Sequence, residues 1–180
     1  LSKYQGFSIE SKGTLDVLIL RNVVPNSETV FRYALAADGI ELPKNNTYDG
    51  VIRTPIKRIV ATSTTHLAFL EKLDALETLV GFPETDYISS PKARKRISEG
   101  TLVDVGKSQQ LNVERILELN PDLLLSFGVE SIDGSLKRFN EMGIPSIFIG
   151  EWNEQNPLGR AEWLKVFGAL LGKKTEAEAR

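Results

Sequence analysis

Asn112-Val113-Glu114-Arg115-Ile116-Leu117-Glu118-Leu119-Asn120-Pro121-Asp122-Leu123-Leu124-Leu125-Ser126 packs a helix, a stop and a strand into one short stretch. Val113, Ile116 and Leu117 fall at i, i+3 and i+4 and predict one apolar helix face, with Glu114, Arg115 and Glu118 turned away from it. Asn120 suits the left-handed position after a helix, and Pro121 cannot continue one. Leu123-Leu124-Leu125 predicts a strand covered on both faces. Such a unit implies a parallel sheet, and parallel sheets present ligands at their strand ends.

The same rhythm extends outward from this stretch. Residues 58–62 predict a first buried strand, and Thr62-Ser63-Thr64-Thr65 supplies an N-cap for a helix carrying Leu67, Phe69, Leu70, Leu73 and Leu76. Residues 78–82 predict strand two, 91–99 a charged helix ended by Gly100, and 102–106 strand three. The opening stretch is helix and strand four. Residues 135–142 predict a helix closed by Gly143, and 144–149 strand five. Asn156-Pro157 caps a last helix that buries Ala161, Leu164, Phe167 and Leu171 before Gly172. Residues 7–55 read as β-rich, with strands over 14–21 and 30–36 joined through turn chemistry at Pro25-Asn26-Ser27. The expected fold is α/β: a three-layer sandwich with a mainly parallel, Rossmann-like sheet, helices on both faces, and a β-rich N-terminal extension. The expected organisation is an extension over 1–55, an α/β lobe over 56–172 and a further helix beginning at 173–180.

Composition narrows the function classes. The 180 residues allow one good-sized domain with a real core. Lys plus Arg number 22 against Asp plus Glu 24, so no basic surplus draws the chain to nucleic acid. No apolar run approaches the roughly 18–20 residues that span a bilayer. Cysteine is absent, which removes disulfides, iron–sulfur clusters and thiol chemistry and suits cytosol and periplasm alike. The sequence starts at Leu1 without a methionine or a signal peptide, as is expected of a processed or recloned segment.

Several residues carry chemistry worth weighing. Gly106-Lys107-Ser108 is like the end of a phosphate-binding loop, but Thr101 stands where that loop needs its first glycine. Val103 and Val105 read as strand, and no G-x-G-x-x-G opens a helix. His66 is the only histidine, so a metal site of several imidazoles is excluded and no metal ligand is assigned. No G-x-S-x-G elbow supplies a triad serine, and no catalytic residue is assigned. His66 either packs the first turn of its helix or meets a ligand at the strand end. Arg160 lies in a first helical turn, where the dipole disfavours a cation; it is either solvated or recruited by an anion. Trp152 follows a strand end and Tyr87 lies in the loop after strand two, so each can offer a flat ring. Trp163, at helical spacing with Val166 and Phe167, reads as core. Glu114, with Glu118 one turn on, reads by itself as a solvated helix face.

Together Arg58-Ile59-Val60, Val80-Gly81, Val105-Gly106 and Asn112-x-Glu114-x-Ile116-x-x-Leu119-x-Pro121-Asp122 resemble the N-terminal lobe of the substrate-binding proteins of ABC importers. The closest group is the cobalamin, haem and iron-siderophore type, whose two lobes are joined by a rigid helix. Ser63-Thr64-Thr65-His66 and Pro157-Leu158-Gly159-Arg160-Ala161-Glu162-Trp163 look like a branch of surface lipoproteins and periplasmic proteins of Gram-negative anaerobes. The resemblance covers residues 56–180, and the Asn-x-Glu to Pro-Asp block is its most specific part.

The resemblance implies a ligand in a shallow cleft against the strand ends, with candidate contacts Thr62, Ser63, Thr64, Thr65, His66, Tyr87, Lys107, Phe127, Trp152 and Arg160. It implies that Glu114 docks on arginines of the ABC permease in the inner membrane. It implies an exported monomer, periplasmic or anchored as a lipoprotein, that is not an enzyme and has no intrinsic cofactor. The ligand would be a ferric siderophore, haem or cobalamin; one histidine argues against free metal ions. Residues 173–180 would begin the inter-lobe helix, with the C-terminal lobe absent from this chain. The alternative is an α/β enzyme acting on a nucleotide or sugar-phosphate at the same strand ends, which needs a phosphate cradle or an acid/base pair there.

Overall fold

Two sheets share the chain in the computed structural model, which describes residues 6–42, 44, 47–127 and 135–180. The first is built from β1 (Phe7–Lys12), β2 (Leu15–Arg21), β3 (Val30–Ala37) and β4 (Gly50–Thr54), in that spatial order. Its first two pairings are antiparallel, and β4 joins β3 in parallel. β2 and β3 are the two strands expected from the sequence; β1 and β4 are additional.

The second sheet holds β5 (Ile59–Ala61), β6 (Leu79–Phe82), β7 (Val103–Asp104), and, beyond a small ribbon of β8 (Gly106–Lys107) and β9 (Gln110–Leu111), β10 (Leu123–Ser126) and β11 (Ser146–Phe148). All its pairings are parallel, in the order β11-β10-β5-β6-β7. Helices α1 (Thr64–Lys72), α2 (Pro91–Ser98), α3 (Val113–Leu119) and α4 (Ser135–Glu141) connect the strands. Helices α5 (Pro157–Glu162), α6 (Leu164–Leu171) and α7 (Lys174–Glu178) follow.

The opening motif explains the layering. Successive side chains of β10 point to opposite faces. Leu124 packs with Val60, Val80, Ile116 and Phe139 beneath α3 and α4. Leu123 and Leu125 belong to the other core with Leu67, Leu70 and Phe167 under α1 and α6, continuous with Leu18, Leu20 and Ile52 of the first sheet. All three leucines are at most 1% exposed. Each end of the motif is pinned. Asn112 accepts the Arg115 N–H at 3.1 Å as N-cap, and Asn120 closes α3 at φ 46°. Asp122 accepts the Lys57 and Arg58 N–H groups, both at 3.0 Å, while the Arg58 guanidinium donates twice to the Leu119 carbonyl. The Pro-Asp block therefore locks the exit of α3 to the entry of β5.

Four expectations are corrected. Leu117 is 42% exposed, and α3 instead buries Ile116 with Val113 and Leu119 half-buried beside it. The helix after β5 stops at Lys72, because Asp74 turns left-handed (φ 49°) and the Ala75 N–H closes on the Leu70 carbonyl. The third strand does not run through 102–106. The Asp104 carboxylate takes the Gly106 N–H at 2.8 Å, Gly106 adopts φ 102°, and the chain peels off into the β8–β9 ribbon. The last helix is two: the chain turns at Trp163, and Ala161 is exposed.

Candidate functional site

Strand order reverses between β5 and β10. From β5 the chain crosses to β6 on one side, while β10 and β11 lie on the other, so the connections leaving adjacent strand ends diverge and open a crevice. An open pocket of about 250 Å³ lies there. Thr62, Ser63 and Thr64 line it from the end of β5, and Phe127 from the end of β10. Phe82, Pro83, Glu84 and Tyr87 close it from the end of β6, with Ser108 of the ribbon. Five residues picked from the sequence thus meet at one place: Thr62, Ser63, Thr64, Tyr87 and Phe127.

Their local chemistry follows from the backbone around them. The buried Thr62 hydroxyl donates to the Leu125 carbonyl at 2.9 Å and pins β5 to β10. Ser63 is the N-cap of α1, its hydroxyl oxygen accepting the Thr65 N–H at 3.3 Å. Tyr87 ends a 3₁₀ turn and is 81% exposed, a large ring held in solvent. Phe127, the residue after β10, is half-buried.

Sequence reasoning missed Glu84 and Ser108, although Glu84 follows β6 at the position where strand-end ligands collect. Glu84 is left-handed (φ 49°), its N–H donating to the Gly106 carbonyl. Its carboxylate accepts the Ser108 hydroxyl at 2.9 Å and the Ser108 N–H at 3.3 Å, clasping the ribbon to the β6 loop. A carboxylate therefore occupies the amide of Gly106-Lys107-Ser108 that a phosphate would need, and the segment is not a phosphate cradle. Behind it Asp104 accepts the Thr85 N–H and hydroxyl and the Gly106 N–H. Burial raises its pKa, but these donors and Arg115 outweigh that and hold the carboxyl below the usual range.

The other sequence candidates lie elsewhere. Thr65 is exposed on α1 and Lys107 on β8, neither lining the pocket. His66 is fully buried, 6.0 Å from the Phe167 ring, with neither imidazole nitrogen hydrogen-bonded among the described residues. Burial pushes its pKa down to about 3. Trp152 is half-buried on a 3₁₀ turn after β11 and lines a separate hollow of about 610 Å³ with Val24, Pro25 and Asn26. Its indole N–H has no partner among the described residues. Arg160 is exposed, donating from Nε to the Glu154 carbonyl at 3.2 Å. Glu151 beside Trp152 was also missed: burial pushes its carboxyl up to about 7, against the pull of nearby N–H groups and Arg160, and one carboxylate oxygen has no partner among the described residues. A further hollow of about 330 Å³ between β1 and α6–α7 is remote from the strand ends. Volume alone does not choose the site; the reversal of strand order does. Among the described residues no three His, Asp or Glu side chains converge on a metal position.

Comparison with known proteins places this geometry. A family model described as periplasmic binding protein matches residues 59–180. An uncharacterized lipoprotein of Methanocaldococcus jannaschii is 29% identical over 134 residues, covering 71% of this chain and 32% of that protein. A periplasmic heme binding protein from Pseudomonas aeruginosa superposes with a TM-score of 0.56 at 26% identity, over 69% of this chain and 41% of its own. A periplasmic binding protein from Veillonella parvula, at 13% identity, shares the fold over 99% of this chain and 52% of its own, with a TM-score of 0.58. The chain thus spans about a third of the lipoprotein's length and about half or less of the two solved relatives.

Proposed function

The chain belongs to the periplasmic binding protein family, and from that premise we propose that it is one lobe of the substrate-binding component of an ABC importer. It captures an iron-siderophore, haem or cobalamin-like chelate outside the inner membrane and hands it to the membrane permease. The proposed protein is exported, periplasmic or anchored as a lipoprotein, in keeping with the lipoprotein relative. Capture rests on the strand-end pocket, where three aromatic rings, four serine and threonine side chains and the Glu84 carboxylate line an open crevice. Such a surface stacks and hydrogen-bonds a ligand without reacting with it. Thr65, His66, Lys107, Trp152 and Arg160 are outside this pocket and are not needed for capture there.

Glu114 is the proposed permease contact, and one observation carries it. Every other defined residue of the Asn-x-Glu to Pro-Asp motif has a job in the fold: Asn112 caps, Ile116 fills the core, Leu119 accepts from Arg58, Pro121 stops the helix and Asp122 pins β5. Glu114 is exposed and makes no hydrogen bond or ion pair among the described residues. Its first-turn position favours a negative charge and leaves that charge free for a basic partner. In the full-length protein, Glu114→Arg is expected to cut transport at least roughly tenfold, the scale of a buried interfacial charge pair reversed, while ligand affinity stays within about twofold. Uptake by a strain carrying the variant, set beside equilibrium binding of the purified protein, measures both. Undiminished uptake would remove Glu114 from the interface.

A further inference from the structure

We infer that the strand-end pocket selects for an uncharged or cationic ligand face and against oxyanions; this rests on the chelate-capture reading above. The only ionisable carboxylate or amine on the pocket wall, among the described residues, is Glu84. Its partners are the Ser108 hydroxyl and N–H, both neutral, so its negative charge is not cancelled by a cation. Among the described residues, the basic groups of neighbouring segments do not line the wall. Lys107 is exposed on β8, and Arg94 of α2 donates to the Thr85 carbonyl at 2.9 Å.

The helix end facing the pocket does not reverse this sign. Anions are drawn to a helix N-terminus by its unsatisfied N–H groups. In α1 the Thr65 N–H already goes to the Ser63 hydroxyl and the His66 N–H to the Ser63 carbonyl, at 3.0 Å. Two of the first three amides are therefore occupied by the cap itself. What remains available to a ligand is the faces of Tyr87 and Phe127, the hydroxyl of Thr64 and a carboxylate able to accept from amide, hydroxyl or ammonium donors. A flat, donor-bearing, neutral or cationic macrocycle fits that set. A catecholate trianion or a tetrahedral oxyanion meets like charge instead.

The test is equilibrium titration of full-length wild-type protein and Glu84→Gln with two probes, cyanocobalamin (no net charge) and a ferric tris-catecholate (three negative charges). The carboxamide introduced by Glu84→Gln retains an acceptor oxygen for Ser108, so the clasp survives while the charge is lost. The wild type is expected to prefer the neutral probe, and Glu84→Gln to lower the ratio of neutral to trianion affinity by roughly fivefold, as removal of one partly solvated charge should. Preference for the trianion, or a ratio that Glu84→Gln leaves unmoved, overturns the charge inference and leaves chelate capture standing. Binding of neither probe overturns this inference, and chelate capture falls with it only if haemin also fails to bind.

Discussion

Trp163→Ala is expected to destabilise the protein by about 3–5 kcal/mol, the range for deleting a large buried aromatic. The ring is 0% exposed and lies 5.0 Å from Phe7, tilted by 57°. Its N–H donates to Glu154 at 3.1 Å. It also fits where no side chain stands: a Cβ on Gly6 would come within 2.7 Å of the ring, and one on Gly150 within 3.3 Å. Trp163 therefore fills the seam between β1 and the exit of β11. Truncation leaves a cavity there and a half-buried acceptor on Glu154 without its donor. For a domain of ordinary stability, roughly 5–15 kcal/mol, that is a large fraction. Denaturant unfolding of the two proteins gives the difference, and a loss below about 1 kcal/mol would show that the seam is not tightly packed.

The second large effect is acid sensitivity from His66. Unfolded, its imidazole titrates near its ordinary value of 6.5; folded, burial lowers it to about 3. A depressed native pKa means stability fully present above pH 6.5 and lost as pH falls toward 3, because only the unfolded chain takes up the proton in that window. The slope is about 1.4 kcal/mol per pH unit, and the total approaches about 5 kcal/mol by about pH 3. His66→Leu removes both the proton site and two buried nitrogens without partners. Between about pH 7 and about pH 5 its unfolding free energy is expected to gain about 2 kcal/mol on the wild type. Parallel pH curves for the two proteins would mean that His66 is protonated equally in both states.

Most of the fold was legible because it is written in short-range chemistry. Asn112, Asn120, Asn156, Pro157, Gly100, Gly143 and Gly172 end or start helices where their backbone preferences put them. What escaped was set by distant partners. β4 pairs in parallel with β3, a contact no local pattern announces. The third strand breaks because Asp104 captures the Gly106 N–H, and Leu117 is exposed because Leu119 shares the packing expected of it. The site divides the same way. Thr62 to Thr64, Tyr87 and Phe127 were named through the family resemblance, which sets the ligand against the strand ends, and they line the pocket there. Glu84 and Ser108 were not, since their pairing joins loops 24 residues apart. His66 has the sequence position of a ligand contact, but α1 turns its ring inward to Phe167, which helical phase decides and residue type does not.

The most direct test of ligand capture at the β5–β10 crevice is to titrate full-length wild type and the double variant Tyr87→Ala, Phe127→Ala with cyanocobalamin, haemin and ferric siderophores. Tyr87 is exposed and Phe127 only half-buried, so the variant should remain folded. At least one probe is expected to bind the wild type, with affinity falling roughly tenfold or more in the variant, as loss of two aromatic anchors predicts. A folded double variant that binds the same probe as tightly as the wild type would place the ligand elsewhere and contradict the assignment.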